Sequence, residues 1–74
     1  MDAMVFVGPI ERAYEIRRMP GVADVKGAWA LPDVGDGLVV YLSGTSAEVT
    51  DVYNRLSEMP GLTVGQKYVF REGV

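Results

Sequence analysis

The chain has 74 residues, 49% of them hydrophobic and 23% charged, which suits one small domain with net stability on the order of a few kcal/mol. It contains neither cysteine nor histidine, excluding disulfides, thiolate and imidazole metal sites, thiol catalysis and every Ser-His or Cys-His pair. Ten acidic residues against seven basic ones leave a net charge of −3, so no basic face for nucleic-acid phosphates is expected, and association is the one staple left for so small a core.

Residues 3–7, Ala-Met-Val-Phe-Val, form an apolar run rich in β-branched residues that stops at Gly8 and predicts a buried strand. Gly8-Pro9 opens a helix, since proline fits the first helical position and Glu11 suits the dipole there. Ile10, Ala13, Tyr14 and Arg17, with Ile16 flanking, give a short amphipathic pattern that ends before Pro20. Residues 22–31 read as extended, with a bulge expected near Gly27. Leu31-Pro32-Asp33-Val34-Gly35-Asp36-Gly37 is a strong loop signal, with Asp36-Gly37 closing a hairpin onto a strand at 38–42.

The second helix is the best specified element. Thr45 stands three residues before Glu48, the spacing of a capping box. Val49, Val52, Tyr53, Leu56 and Met59 then share one face, and Pro60 ends the helix. Residues 62–70 form the closing strand, and 71–74 read as a loose tail.

Met-Pro-Gly occurs at Met19-Pro20-Gly21 and again at Met59-Pro60-Gly61, each after a helix and before a strand. The order is strand, helix, strand, strand, helix, strand. Two right-handed crossovers joined by a hairpin interleave into a four-stranded antiparallel sheet with both helices on one face. Residues 1–74 are therefore expected to form a single α+β domain, the ferredoxin-like βαββαβ sandwich.

Such a sandwich leaves one sheet face without helical cover. Trp29, Tyr41, Tyr68 and Phe70 all lie in predicted strands. Tyr68 and Phe70 share one face by alternation, and Tyr41 points opposite to Val40. These four are the candidate interface residues, since aromatics are enriched at interface cores. Ser43, Gly44 and Thr45 meet the start of the second helix, where free N–H groups can hold an anion, and are a weaker ligand-binding candidate that capping also explains. Asp33 and Asp36 lack calcium-loop spacing and read as turn residues, so no metal is expected. Arg12, Arg17 and Arg18 alternate with Glu11 and Glu15 on a solvated helix face, with Glu15 in reach of Arg18. No spacing places two carboxylates in an apolar pocket, so neither catalytic residues nor a cofactor are expected. No apolar run approaches the roughly 20 residues needed to span a bilayer. Met1-Asp2-Ala3-Met4 lacks the positive start of a secretory signal, and the expected location is cytoplasmic.

Met19-Pro20-Gly21-Val22, Gly35-Asp36-Gly37-Leu38-Val39-Val40 and Met59-Pro60-Gly61-Leu62 together resemble the effector-binding domain of the Lrp/AsnC transcription regulators. That resemblance implies a ferredoxin-like fold, dimers formed by paired sheets, and ligands held between protomers. The outline is also similar to the small maturation chaperone that binds the twin-arginine signal of periplasmic nitrate reductase. No functional residue carries over from either family, and no DNA-binding helix-turn-helix is read in the chain. The expectation is a non-enzymatic interaction module that self-associates, as a homodimer, through its sheet and binds another protein. The alternative is a sensor of an amino-acid-like molecule held at the dimer interface.

Overall fold

Residues of alternating direction decide what each strand of this protein buries. In the computed structural model, which describes residues 1–72, β1 (Asp2–Gly8) turns Ala3, Val5 and Val7 inward, all with no exposed surface, and leaves Met4 and Phe6 half-buried on the opposite side. The strand is thus covered on one side only, where the sequence predicts a fully buried run. A 3-10 turn at Ile10–Arg12 follows and leads into α1 (Ala13–Arg17). β2 (Val22–Leu31) and β3 (Gly35–Ser43) form the hairpin, α2 (Ser46–Glu58) crosses back, and β4 (Thr63–Arg71) closes the sheet. The strand order is β2-β3-β1-β4, with every neighbouring pair antiparallel. This is the expected α+β architecture, ferredoxin-like in strand order, with a four-stranded sheet and two helices.

The core lies between sheet and helices. Ile16 of α1 and Val49, Val52 and Leu56 of α2 pack on Val5, Val7, Val25, Leu38, Val40 and Leu42. Among the described residues no polar or charged side chain is buried. The capping box forms as its spacing demands: Glu48 N–H donates to Thr45 Oγ1 at 3.1 Å, and Thr45 N–H donates to Glu48 Oε1 at 2.9 Å. Those bonds hold the Glu48 carboxyl below its ordinary pKa, the backbone bond being the larger cause.

The duplicated Met-Pro-Gly is a duplication in three dimensions, with positions forty residues apart in equivalent places. Met19 N–H donates to Ile16 O and Val22 N–H to Met19 O; Met59 N–H donates to Leu56 O and Leu62 N–H to Met59 O. Ile16 and Leu56 are both fully buried. Gly21 and Gly61 both take a left-handed backbone, φ +90° and +74°, which a side chain would strain. Each turn is also braced by the other half. A Cβ on Gly21 would lie 2.5 Å from a Val52 methyl, and one on Gly61 would lie 3.4 Å from Arg12 Nη1, which donates to Pro60 O. Positions 12 and 52 are themselves forty apart.

Several local expectations are corrected. The α1 stripe does not run through Tyr14, which is 73% exposed; Ile16 is the residue it buries. Glu15 pairs with Arg12 and not with Arg18, which reaches the Tyr14 hydroxyl and ring instead. That ion pair, chiefly through its hydrogen bond, raises the Arg12 pKa and lowers that of Glu15. Gly27 stays in register with Leu38, and the register shifts instead between Val22 and Asp24 and between Ala28 and Leu31, where Ala30 adopts φ +54°. The hairpin turns at residues 32–34, so Asp36 and Gly37 belong to β3, with Asp36 Oδ1 accepting from Ala30 N–H. Arg71 ends β4 and is no loose tail; that reading otherwise falls partly on residues 73–74, outside the described ones.

Candidate functional site

The sheet face away from the helices is apolar through its centre. Register places Met4 between Tyr41 of β3 and Tyr68 of β4, and Phe6 beside Val39. The Phe6 and Tyr68 rings lie 5.3 Å apart, and those of Tyr41 and Phe70 meet edge to face at 6.4 Å. Met4, Phe6, Val39, Tyr41 and Tyr68 are each half-buried by their neighbours alone, and Phe70 is 58% exposed. The structure therefore unites three of the four aromatic candidates. Trp29, 76% exposed, stands apart on β2 near the hairpin turn. By alternation from Val25 and Gly27 it falls on the helix side, where Ile10 approaches Gly27. Met4, Phe6 and Val39 complete the face, yet sequence reading gave β1 entirely to the core.

One end of the face is low and plugged. Gly8, Gly37 and Gly65 come from three adjacent strands and share the open side. A Cβ on Gly8 would lie 2.8 Å from Val34 Cγ1, one on Gly37 3.0 Å from the same atom, and one on Gly65 3.6 Å from Val34 Cγ2. Val34 thus leaves the hairpin turn and seats its methyls in a glycine-floored hollow beside Phe6. Charges gather at the rim. Asp24 and Lys26 of β2 align with Tyr41 and Val39, and Ser43 Oγ donates to Asp2 Oδ1 at 2.7 Å, with Arg71 3.8 Å from the same carboxylate.

Each sheet edge is capped at one residue by a side chain of the same chain. On β2, Val25 N–H donates to Asp24 Oδ1 at 2.8 Å and Val25 O accepts from Arg17 Nη2 at 3.0 Å. On β4, Gly65 O accepts from the Tyr53 hydroxyl at 3.1 Å, and Lys67 Nζ sits 5.6 Å from the same tyrosine's ring centroid. Val25 and Gly65 are again forty residues apart. A side chain from each helix covers a carbonyl that an incoming strand would need.

At the start of α2 the candidate ligand groups are engaged. Gly44 N–H donates to Met1 O, the Met1 ammonium donates to Gly44 O at 2.7 Å, Ser43 holds Asp2, and Thr45 is committed to Glu48. Among the described residues, no three His, Cys, Asp or Glu side chains gather as a metal site. In that set no helix is long and apolar enough to cross a membrane. A shallow hollow of about 180 Å³ lies between Pro20-Gly21 and the Glu48, Asp51, Val52 and Arg55 side of α2, with Asp51 and Arg55 joined at 2.8 Å.

Fold and surface thus define a ferredoxin-like α+β domain with one bare apolar sheet face. No family model, curated protein or solved structure matches the chain.

Proposed function

We propose that this chain is a small non-enzymatic interaction module that pairs with a second copy of itself through the open sheet face and engages another protein. The observation that carries the reading is the contiguous set Met4, Phe6, Val39, Tyr41, Tyr68 and Phe70 on a face that no helix covers. Apolar surface of this kind gains about 25 cal/mol for every Å² removed from water, and a domain of this size gains stability by pairing. Association through the face is favoured over association through an edge, because Arg17 and Asp24 already hold the Val25 edge groups and Tyr53 holds the Gly65 carbonyl. Trp29 and Ile10 lie away from that face and are left for a different protein.

The test is sedimentation equilibrium from low to high micromolar concentration, on wild type and on Tyr68→Ser combined with Phe70→Ser. Wild type is expected to self-associate, and the double variant to sediment as a monomer with its fold intact by circular dichroism. An 8.1 kDa monomer for the wild type at the highest concentration would overturn the proposal.

A further inference from the structure

Resting on the pairing just proposed, we infer how two copies stack: a two-fold axis crosses the strands along the line Val25–Val40–Val5–Lys67, putting β2 over β2 and Asp24 of each copy against Lys26 of the other. Register supplies the geometry. One row of side chains crosses the open face as Asp24, Tyr41, Met4 and Tyr68, and the next as Lys26, Val39 and Phe6. Val25, Val40, Val5 and Lys67 lie between the rows, paired with one another and pointing to the opposite side. A two-fold on that line lays the first row of one copy on the second row of its partner.

Close to the axis the operation brings complementary groups together. Asp24 meets Lys26 twice, once on each side of the axis, and both side chains are exposed. Tyr41, a tall side chain, meets the shorter Val39, and Phe6 meets Met4. Tyr68 comes over Gly65 of the partner, and the end that carries Asp2 and Ser43 comes over the end floored by Gly8 and Gly37 and levelled by Val34. The alternative two-fold, parallel to the strands, puts β2 over β4, where Asp24 faces Tyr68 and Lys26 faces the Gly65–Gln66 irregularity, and neither gains an opposite charge.

The dimensions of the chain set a ceiling on what a pair can bury. The chain extends 33 × 20 × 17 Å, so its broadest face is about 660 Å², from 33 Å by 20 Å. Two such faces can bury at most on the order of 1,300 Å², which holds a pair to the lower end of the range, roughly 1,200 Å² upward, for specific, stable interfaces. At that size, charge placement decides whether and how the copies register.

The experiment uses two single variants, D24K and K26D, measured alone and mixed in equal amounts. D24K sets lysines against lysines across the axis and K26D sets aspartates against aspartates, so each alone is expected to self-associate about ten-fold or more weakly than wild type. The mixture restores both opposite-charge contacts and should form a mixed pair at close to wild-type concentration, which native mass spectrometry resolves by mass. Equal self-association of wild type and both variants, or a mixture no tighter than its parts, would overturn this stacking. Should dissociation by Tyr68→Ser with Phe70→Ser persist in that case, the face still pairs, but in another orientation. A monomeric wild type would instead remove the pairing itself. Asp24 also holds the Val25 N–H, so if D24K loses its fold, salt decides with K26D alone: added salt should strengthen K26D association and weaken that of wild type. The same salt response from both proteins would count against the inference.

Discussion

Val34 in its glycine hollow allows a double-mutant cycle whose sign can be worked out atom by atom. A Cβ introduced by Gly8→Ala would lie 2.8 Å from Val34 Cγ1, with the next nearest atom at 3.8 Å, so its conflict is with one side chain. Overpacking of this kind costs about 1–3 kcal/mol. Val34→Ala alone empties part of the hollow and costs about 1–2 kcal/mol by lost burial. Together the two changes should not add, because the new methyl occupies space that Val34 vacates. A favourable coupling of about 1 kcal/mol or more is expected. Gly37→Ala behaves differently. Its Cβ would overlap the Val7 carbonyl oxygen, a backbone atom fixed by the β1–β3 pairing, as well as crowding Val34. Val34→Ala cannot relieve that, and a loss of about 3 kcal/mol or more should remain in the double variant. In a chain of this length each kcal/mol moves the melting temperature by about 4–8 °C, so thermal unfolding followed by circular dichroism resolves the cycle. If Gly8→Ala is harmless, or if Val34→Ala rescues Gly37→Ala as fully as Gly8→Ala, the plugged hollow is wrong.

Two further outcomes concern the helices. Thr45→Ala should cost about 1 kcal/mol in a urea titration at neutral pH. The lowered Glu48 carboxyl adds stability that is present above the ordinary glutamate pKa and disappears as pH falls through its lower native value. Glu48→Gln should therefore flatten that acid limb of the stability profile, and an unchanged limb would show that the capping bonds do not set it. Ile16→Ala and Leu56→Ala, at equivalent fully buried positions of the two halves, should each cost about 2–5 kcal/mol in the same titration. A loss below 1 kcal/mol at either would mean that its helix is not packed as described.

What the sequence disclosed depended on how local each signal was. The α2 cap, both Pro-Gly stops and the extended character of 22–31 are written in adjacent residues, and all appear in the structure. The facing of β1 is not local. Ala3 to Val7 is apolar at every position because one side meets helices and the other is itself a hydrophobic surface, so periodicity hides Met4 and Phe6. The phase of α1 was lost for a geometric reason. The 3-10 turn at Ile10–Arg12 advances about three residues per turn and α-helix about 3.6, so counting from Ile10 points to Tyr14 instead of Ile16. Val34 looks like one more loop residue until Gly8 and Gly65, far along the chain, are placed beneath it. Tyr41, Tyr68, Phe70 and Trp29 can each be assigned to a side by counting in twos, but that Trp29 stays 76% exposed on the helix side is not a local signal.

The reciprocal bracing of the two turns bears on how the molecule comes apart. Gly21 rests on Val52, and Pro60 is held by Arg12, so releasing either βαβ half strips the closing contact from its twin. Strand order adds to this, since β1 and β2 of one half, like β3 and β4 of the other, are not neighbours in the sheet and neither half has a paired sheet of its own. The whole chain is the smallest cooperative unit, and a single nick between β2 and β3 would leave two fragments that hold shape only in each other's company.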